Sequence, residues 1–307
     1  MKPKVIFMGT PDFAVLVLDK LIKLTDVVLV VTQPDKLVGR KQELKFSPIK
    51  EKALENNIKV FQPVKLRDEM DEVLNTEADL IVTCAYGQIL PEAILNHPKI
   101  APINVHASLL PKLRGGAPIH HAIIDGYDKT GVTIMYMAKG MDDGDIISQE
   151  EIIIDKDDNV GTLHDKLSVI GANLLEKTLP SIIDGTNNRI KQDENEVTFA
   201  PTIKREEEHI DFNKNGKDII NLIRGLNPWP LSNIILNDLE CKIIDAEFVK
   251  KDVSGPYNII LEKNKLGITC LDGIIYINTI KPFGKKAMNI TDYLNGMRNI
   301  NMEWSVK

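Results

Sequence analysis

The stretch from Ile103 to Pro118, Ile-Asn-Val-His-Ala-Ser-Leu-Leu-Pro-Lys-Leu-Arg-Gly-Gly-Ala-Pro, restricts the fold of this chain more than any other. Its first four residues read as a strand end carrying an amide, Asn104, and an imidazole, His106, two residues apart. In extended backbone such residues share a face and can converge on one bound group. Pro111, Gly115 and Gly116 then prevent regular structure, and Pro118 stands where a helix can begin. Strand end, irregular loop and helix start, in that order, is the layout of a crevice at the carboxyl edge of an open α/β sheet. Taken alone, the stretch fits equally a turn-capping Asn and a core His. The rest of the chain decides.

The same grammar recurs upstream. Lys4 to Met8 is an apolar run followed by Gly9-Thr10-Pro11-Asp12-Phe13, and apolar residues at 13, 16, 17, 21 and 24 then keep helical spacing. Val27 to Val31 supplies the next strand, completing a βαβ unit. A single Gly9 stands where a dinucleotide turn needs G-x-G-x-x-G, which argues against a nicotinamide site. The pattern predicts helices over 48–56 and 67–75, strands over 59–61 and 79–84, and a fifth strand over 100–105. Residues 131–137 and 146–154 read as a strand pair with some antiparallel pairing, and 162–183 as a long amphipathic helix. The turn between the strands, Lys139-Gly140-Met141-Asp142-Asp143-Gly144-Asp145, is rich enough in carboxylates to aim one into the crevice.

Residues 33–45 show no periodicity and carry Lys36, Arg40, Lys41 and Lys45 around Gly39. A solvated loop is one reading; a basic flap over a phosphate-bearing substrate is the other. At 307 residues two domains are expected. We place a catalytic domain at 1–185, a polar linker at 186–207 and a second domain at 208–307. After a helix over 218–226 and the segment Asn227-Pro228-Trp229-Pro230, five short strands, at 232–237, 241–249, 257–262, 266–271 and 274–280, suggest a small barrel of oligonucleotide-binding type, closed by a helix over 289–298.

The net charge of −6 is no general nucleic-acid signature, but the acidic excess sits in residues 1–207, with 25 basic and 32 acidic side chains, whereas 208–307 hold 13 and 12. Cys84, Cys241 and Cys270 form neither a disulfide framework nor a zinc motif, in keeping with a reducing cytoplasm. No apolar run approaches the roughly 20 residues of a membrane span. A cytoplasmic location, without membrane or metal, is expected.

Taken together the motifs resemble the methionyl-tRNA formyltransferases. The matching pieces are Gly9 to Phe13, Thr32-Gln33-Pro34-Asp35, Asn104 to Pro111, Gly131-Val132-Thr133-Ile134-Met135, Gly140-Met141-Asp142, Asn227 to Pro230 and Gly284-Lys285-Lys286-Ala287-Met288. Asn-x-His followed by Ser-Leu-Leu-Pro alone would mark only the wider group of 10-formyltetrahydrofolate-dependent formyltransferases. The resemblance implies a Rossmann-like formyltransferase domain with a C-terminal oligonucleotide-binding-like β-barrel. It also implies formyl transfer from 10-formyltetrahydrofolate to the α-amine of methionyl initiator tRNA. By motif, Asn104, His106 and Asp142 become the catalytic trio, and Ser108, Leu109, Leu110 and Pro111 line the folate site. Arg40, Lys41, Lys45, Lys285 and Lys286 are the expected tRNA contacts, and the enzyme is expected to work as a monomer. Ala107 and Leu113 depart from the family, which often has Gly and Trp there, and Asp143 stands where Thr is frequent.

The residue chemistry agrees independently. An amine attacking a formyl carbon creates a tetrahedral oxyanion, for which the Asn104 amide and a protonated His106 are donors. Asp142 can hold the imidazole charged or accept the proton that the attacking amine must lose, and the residues do not choose between these roles. Two alternatives use the same residues differently: a formyltransferase for an amino sugar nucleotide, and a non-catalytic RNA-binding protein. The low aromatic content of 5% weighs against the second.

Overall fold

The computed structural model describes residues 2–39, 42–297 and 304–307. Its contacts divide the chain into two units. The first comprises Met1–Pro118, Lys129–Ile153 and His164–Pro201; the second comprises Ile119–Asp128, Ile154–Leu163 and Thr202–Lys307.

In chain order the elements up to the end of the long helix are β1 (Lys4–Gly9), α1 (Val15–Leu24), β2 (Asp26–Val31), β3 (Lys36–Val38), β4 (Glu43–Lys45), α2 (Pro48–Glu55), β5 (Val60–Phe61), α3 (Asp71–Leu74), β6 (Leu80–Cys84), α4 (Glu92–Leu95), β7 (Ala101–His106), α5 (Pro118–Ile124), β8 (Lys129–Tyr136), β9 (Ile146–Ile153) and α6 (Val160–Asp184). Seven strands of the first unit form one sheet in the order β5-β2-β1-β6-β7-β8-β9. The first five run parallel, and β8 and β9 add antiparallel pairs. All five residues of β6 are buried, as are the last five of β1, which is why these strands read as continuous apolar runs rather than alternating ones. The connection from β1 goes to one side and that from β6 to the other, so the carboxyl ends of these strands border the crevice that such sheets use for ligands. Asn104 and His106 end the neighbouring strand β7.

Two local expectations are corrected. The basic segment after β2 contains a two-stranded hairpin, β3 with β4, turning near Gly39 at φ +69° and Gln42 at φ +51°. Three-residue strands are too short to leave a periodic signal. The helix expected over 67–75 splits into a 3₁₀ turn at Leu66–Asp68 and the short α3, because Glu69 folds back to accept from the Val64 and Lys65 amides.

The second unit adds α7 (Gly216–Gly225), β10 (Ser232–Leu236), β11 (Leu239–Lys250), β12 (Ile259–Glu262), β13 (Lys265–Thr269), β14 (Gly273–Pro282), β15 (Met288–Asn289) and α8 (Ile290–Met297). Its antiparallel sheet runs β10-β11-β14-β13-β12, with β15 paired to β14, making this an all-β domain with flanking helices. Ile219 and Ile223 of α7 and Ile290, Tyr293 and Leu294 of α8 close its core over Ile243, Ile268, Ile275 and Ile277. Arg224 donates to the carbonyls of Asp155, Lys156 and Asp158 within the same unit. Among the described residues no helix is long and apolar enough to cross a membrane.

Candidate active site

β6 and β7 lie in register with Thr83 opposite Asn104, and the Thr83 hydroxyl donates to Asn104 Oδ1 at 2.8 Å. With its oxygen taken, the amide keeps Nδ2 as the end left to donate, an assignment that follows from that hydrogen bond. His106 is only 6% exposed. Its Nε2 lies 3.1 Å from the Leu113 carbonyl oxygen, and since a carbonyl can only accept, Nε2 carries a proton. Nδ1 then faces Asp142 Oδ2 at 3.7 Å, an ion pair when the ring holds both protons.

Asp142 sits in the loop between β8 and β9 at φ +49°, a left-handed conformation that Asp tolerates better than most residues. Three contacts hold it there. The Gly115 amide donates to Asp142 Oδ2 at 2.9 Å, and Gln192 Nε2 donates to the carbonyls of both Asp142 and Gly144 at 2.7 Å. Gln192 is itself fixed by the buried Arg114, whose Nε donates to its Oε1 at 3.0 Å and whose guanidinium also pairs with Glu194. Two glycines make the geometry possible. A Cβ on Gly144 would lie 1.9 Å from the Tyr136 carbonyl oxygen, and one on Gly115, at φ +124°, would lie 2.7 Å from that of Ala200.

Residues 198–200 strap the loop after β7. Thr198 Oγ1 accepts from the Leu113 amide, the Arg114 amide donates to the Thr198 carbonyl, and Arg114 and Ala200 exchange a second bond in a short parallel bridge. Thus the segment that reads in sequence as a linker carries the supports of Leu113, Arg114 and Asp142. Thr133 of β8 does the same work from the sheet, donating to the Ser108 carbonyl at 2.7 Å and accepting from the Leu110 amide at 3.1 Å.

Asn104 and Asp142 line one cleft, open at its mouth, whose other walls include Gln88, Leu90, Met135 and Met137. His106 is outside that lining and sits behind Asp142. Ser108, Leu109, Leu110 and Pro111 are also outside it: Ser108 is fully buried and its hydroxyl donates to the Lys112 carbonyl, while Leu110 is buried and packs on Met135 and Ile146. The Ser108 hydroxyl, already donating within its own loop, has no proton to offer a ligand. Of the lining residues, Gln88, Ile89 and Leu90 lie in the motif Ala85-Tyr86-Gly87-Gln88-Ile89-Leu90-Pro91, a strand end and helix start whose position at the crevice is the signal that could have found them. A second hollow shares Gln88 and Ile89 with the first and is lined by Lys65, Arg67 and Pro91.

Of the expected tRNA contacts, Arg40 and Lys41 lie outside the described residues. Lys45 is exposed on β4, and Lys285 and Lys286 are exposed in the turn between β14 and β15 of the second unit. Near the carboxyl ends of β1 and β2, burial opposes ionisation of Asp35, but Lys50 and Gln62 outweigh it and hold the carboxyl below the usual range. Burial pushes the Cys84 thiol up, so the cysteine at the end of β6 is no nucleophile. Among the described residues no group of three His, Cys, Asp or Glu is placed to hold a metal ion.

An Asn-x-His strand end with an Asp loop folded over it, on a Rossmann-like sheet with a separate antiparallel domain, defines a class. Residues 1–179 match the family model described as Formyl transferase, and residues 202–298 match that described as Formyl transferase, C-terminal domain. Methionyl-tRNA formyltransferases of Staphylococcus epidermidis and Staphylococcus aureus are 54% and 51% identical to this chain, covering 96% and 97% of it and the same shares of their own length. The chain belongs to the methionyl-tRNA formyltransferase family. In structure it is similar to WlaRD, a sugar 3N-formyl transferase solved in the presence of dTDP and 5-N-formyl-THF. The TM-score is 0.70 and the identity 25%, covering 93% of this chain and 100% of that one.

Proposed function

We propose that this chain transfers the formyl group of 10-formyltetrahydrofolate to the α-amine of methionyl initiator tRNA in the cytoplasm. The observation that carries the mechanism is the convergence of Asn104, His106 and Asp142 at the carboxyl end of β7, with Asn104 and Asp142 on one cleft wall. The attacking nitrogen forms a bond to the formyl carbon, and the carbonyl oxygen becomes an oxyanion. Asn104 Nδ2 donates to it, the kind of preorganised stabilisation that usually contributes most to acyl transfer, while a protonated His106 pairs through Nδ1 with Asp142 from behind and keeps that carboxylate ionised and in place. The amine's proton passes to Asp142, directly or through a water. The bond from carbon to the folate nitrogen breaks, and that nitrogen leaves with the proton that Asp142 had accepted. The Nε2 bond to the Leu113 carbonyl keeps the ring oriented throughout.

The cleft suits a folate. Its walls of Leu90, Met135 and Met137 fit a flat ring system, and Lys65 and Arg67 in the adjoining hollow suit the carboxylates of a glutamyl tail. One chain holds every group this mechanism uses, so a monomer suffices. The acceptor is assigned through the relatives of more than half identity, against which the likeness to a sugar formyl transferase is distant. The test is to supply 10-formyltetrahydrofolate with methionyl initiator tRNA, a dTDP-linked amino sugar, or glycinamide ribonucleotide. Formylmethionine released from tRNA is the expected product. Product from a small amine and none from tRNA overturns the assignment.

A further inference from the structure

We propose that Phe283 is a stacking platform for an unpaired base of the tRNA, an inference that rests on the acceptor assigned above. At 75% exposure it is the most exposed aromatic side chain among the described residues. It stands second in a four-residue turn, Pro282-Phe283-Gly284-Lys285, closed by the Lys285 amide donating to the Pro282 carbonyl at 3.0 Å, with Gly284 at φ +75°. The tip is held, because the Phe283 amide donates to the Glu240 carbonyl at 2.9 Å on the neighbouring strand β11. An apolar ring fixed in water without a neighbour to cover it gains nothing for the fold.

Its surroundings identify the partner. Lys281, Lys285 and Lys286 are exposed around it and have no ion-pair partner among the described residues, while the Glu240 carboxylate beside the turn is taken by Arg205. A ring between free cations matches an RNA strand, whose bases offer flat faces and whose phosphates offer charge at short spacing. Stacking tolerates any base and needs no hydrogen-bond code. The two contributions separate experimentally: charge neutralisation releases counterions and sets the salt dependence, and ring stacking does not.

Direct binding of uncharged initiator tRNA, read by fluorescence anisotropy at two salt concentrations, tests this without chemistry. Phe283→Ala is expected to raise Kd roughly 5- to 100-fold, the scale of losing one base-aromatic stack, with the salt slope unchanged. Phe283→Tyr keeps the ring face and should bind like the wild type, whereas Phe283→Leu should behave like Phe283→Ala. The pair Lys285→Gln and Lys286→Gln should instead reduce the slope by about 0.7–0.9 for each phosphate no longer neutralised. Equal binding by Phe283→Ala, or Leu restoring affinity as well as Tyr, overturns the stacking assignment. Loss of Phe283→Ala binding to phosphatidylserine vesicles, with tRNA binding intact, reassigns the tip to membrane and overturns it too. A protein that binds tRNA with this pattern and forms no formylmethionine would sink the functional reading alone.

Discussion

Gln192 should matter to catalysis without touching a substrate, and the structure sets the size of the effect. Its two amide protons serve two carbonyls, Asp142 and Gly144, and its oxygen accepts from the buried Arg114. Replacing it with Leu removes all three bonds and leaves a branched apolar side chain one atom shorter. Two neutral hydrogen bonds at about 1 kcal/mol each and one to a charged donor at about 2 kcal/mol give roughly 4 kcal/mol. Gln192 is half-buried, so water restores part of this, and about 2–3 kcal/mol remains. Asp142 keeps its left-handed backbone only because its surroundings fix it, at a cost of about 1 kcal/mol or more. Once freed, the loop spreads over other conformations. If the whole remaining loss falls on the placement of Asp142, transfer slows by about 10²-fold at 1.36 kcal/mol per decade. The assay is single-turnover formyl transfer with saturating substrates, alongside urea unfolding. Gln192→Leu should lower the rate roughly 30- to 100-fold and leave KM for tRNA near that of the wild type. A folded Gln192→Leu protein with unchanged rate would refute the view that residues 190–200 hold Asp142 in place.

Other substitutions probe the remaining supports. Gly115→Ala puts a methyl 2.7 Å from the Ala200 carbonyl oxygen at φ +124°. It should cost about 2–4 kcal/mol in urea unfolding and reduce transfer at least about tenfold; equal stability would show the loop yields freely. In the second unit, burial opposes the charge on Glu208, but Lys242 and Arg205 outweigh it and hold the carboxyl below its usual range. A depressed carboxyl contributes stability above its unfolded pKa of about 4.3 and loses it as the pH falls through the lower folded value. Lys242→Met should therefore destabilise by about 1–3 kcal/mol at pH 7, a gap that narrows below pH 4. Parallel stability curves for the two proteins would remove Lys242 from this role. Arg67→Gln should raise KM for the folate about 2- to 5-fold with no change in KM for tRNA, the scale of one exposed ion pair; a change confined to tRNA would place Arg67 in the acceptor path.

What can be read from sequence is what repeats or what is local. Continuous apolar runs announce β1 and β6, because strands buried on both faces leave no alternation to confuse. Asn104 and His106 are legible because spacing of two along a strand is itself geometry. The β3-β4 hairpin escapes because three residues per strand carry no period. The supports of the site escape for another reason. Gln192 and Thr198 lie some distance along the chain from Asp142 and Leu113, in a polar segment whose composition looks like a linker. Nothing local in that segment shows that its side chains close a network with the loop after β7.

The most direct test of the account is the single-turnover rate of formyl transfer to methionyl initiator tRNA by His106→Ala, with folate binding measured beside it. His106 is buried behind Asp142 and outside the cleft lining, so its loss should leave folate Kd within about threefold while slowing transfer by roughly 10² or more. An unchanged rate in a folded His106→Ala protein would contradict the account and make this imidazole a packing residue.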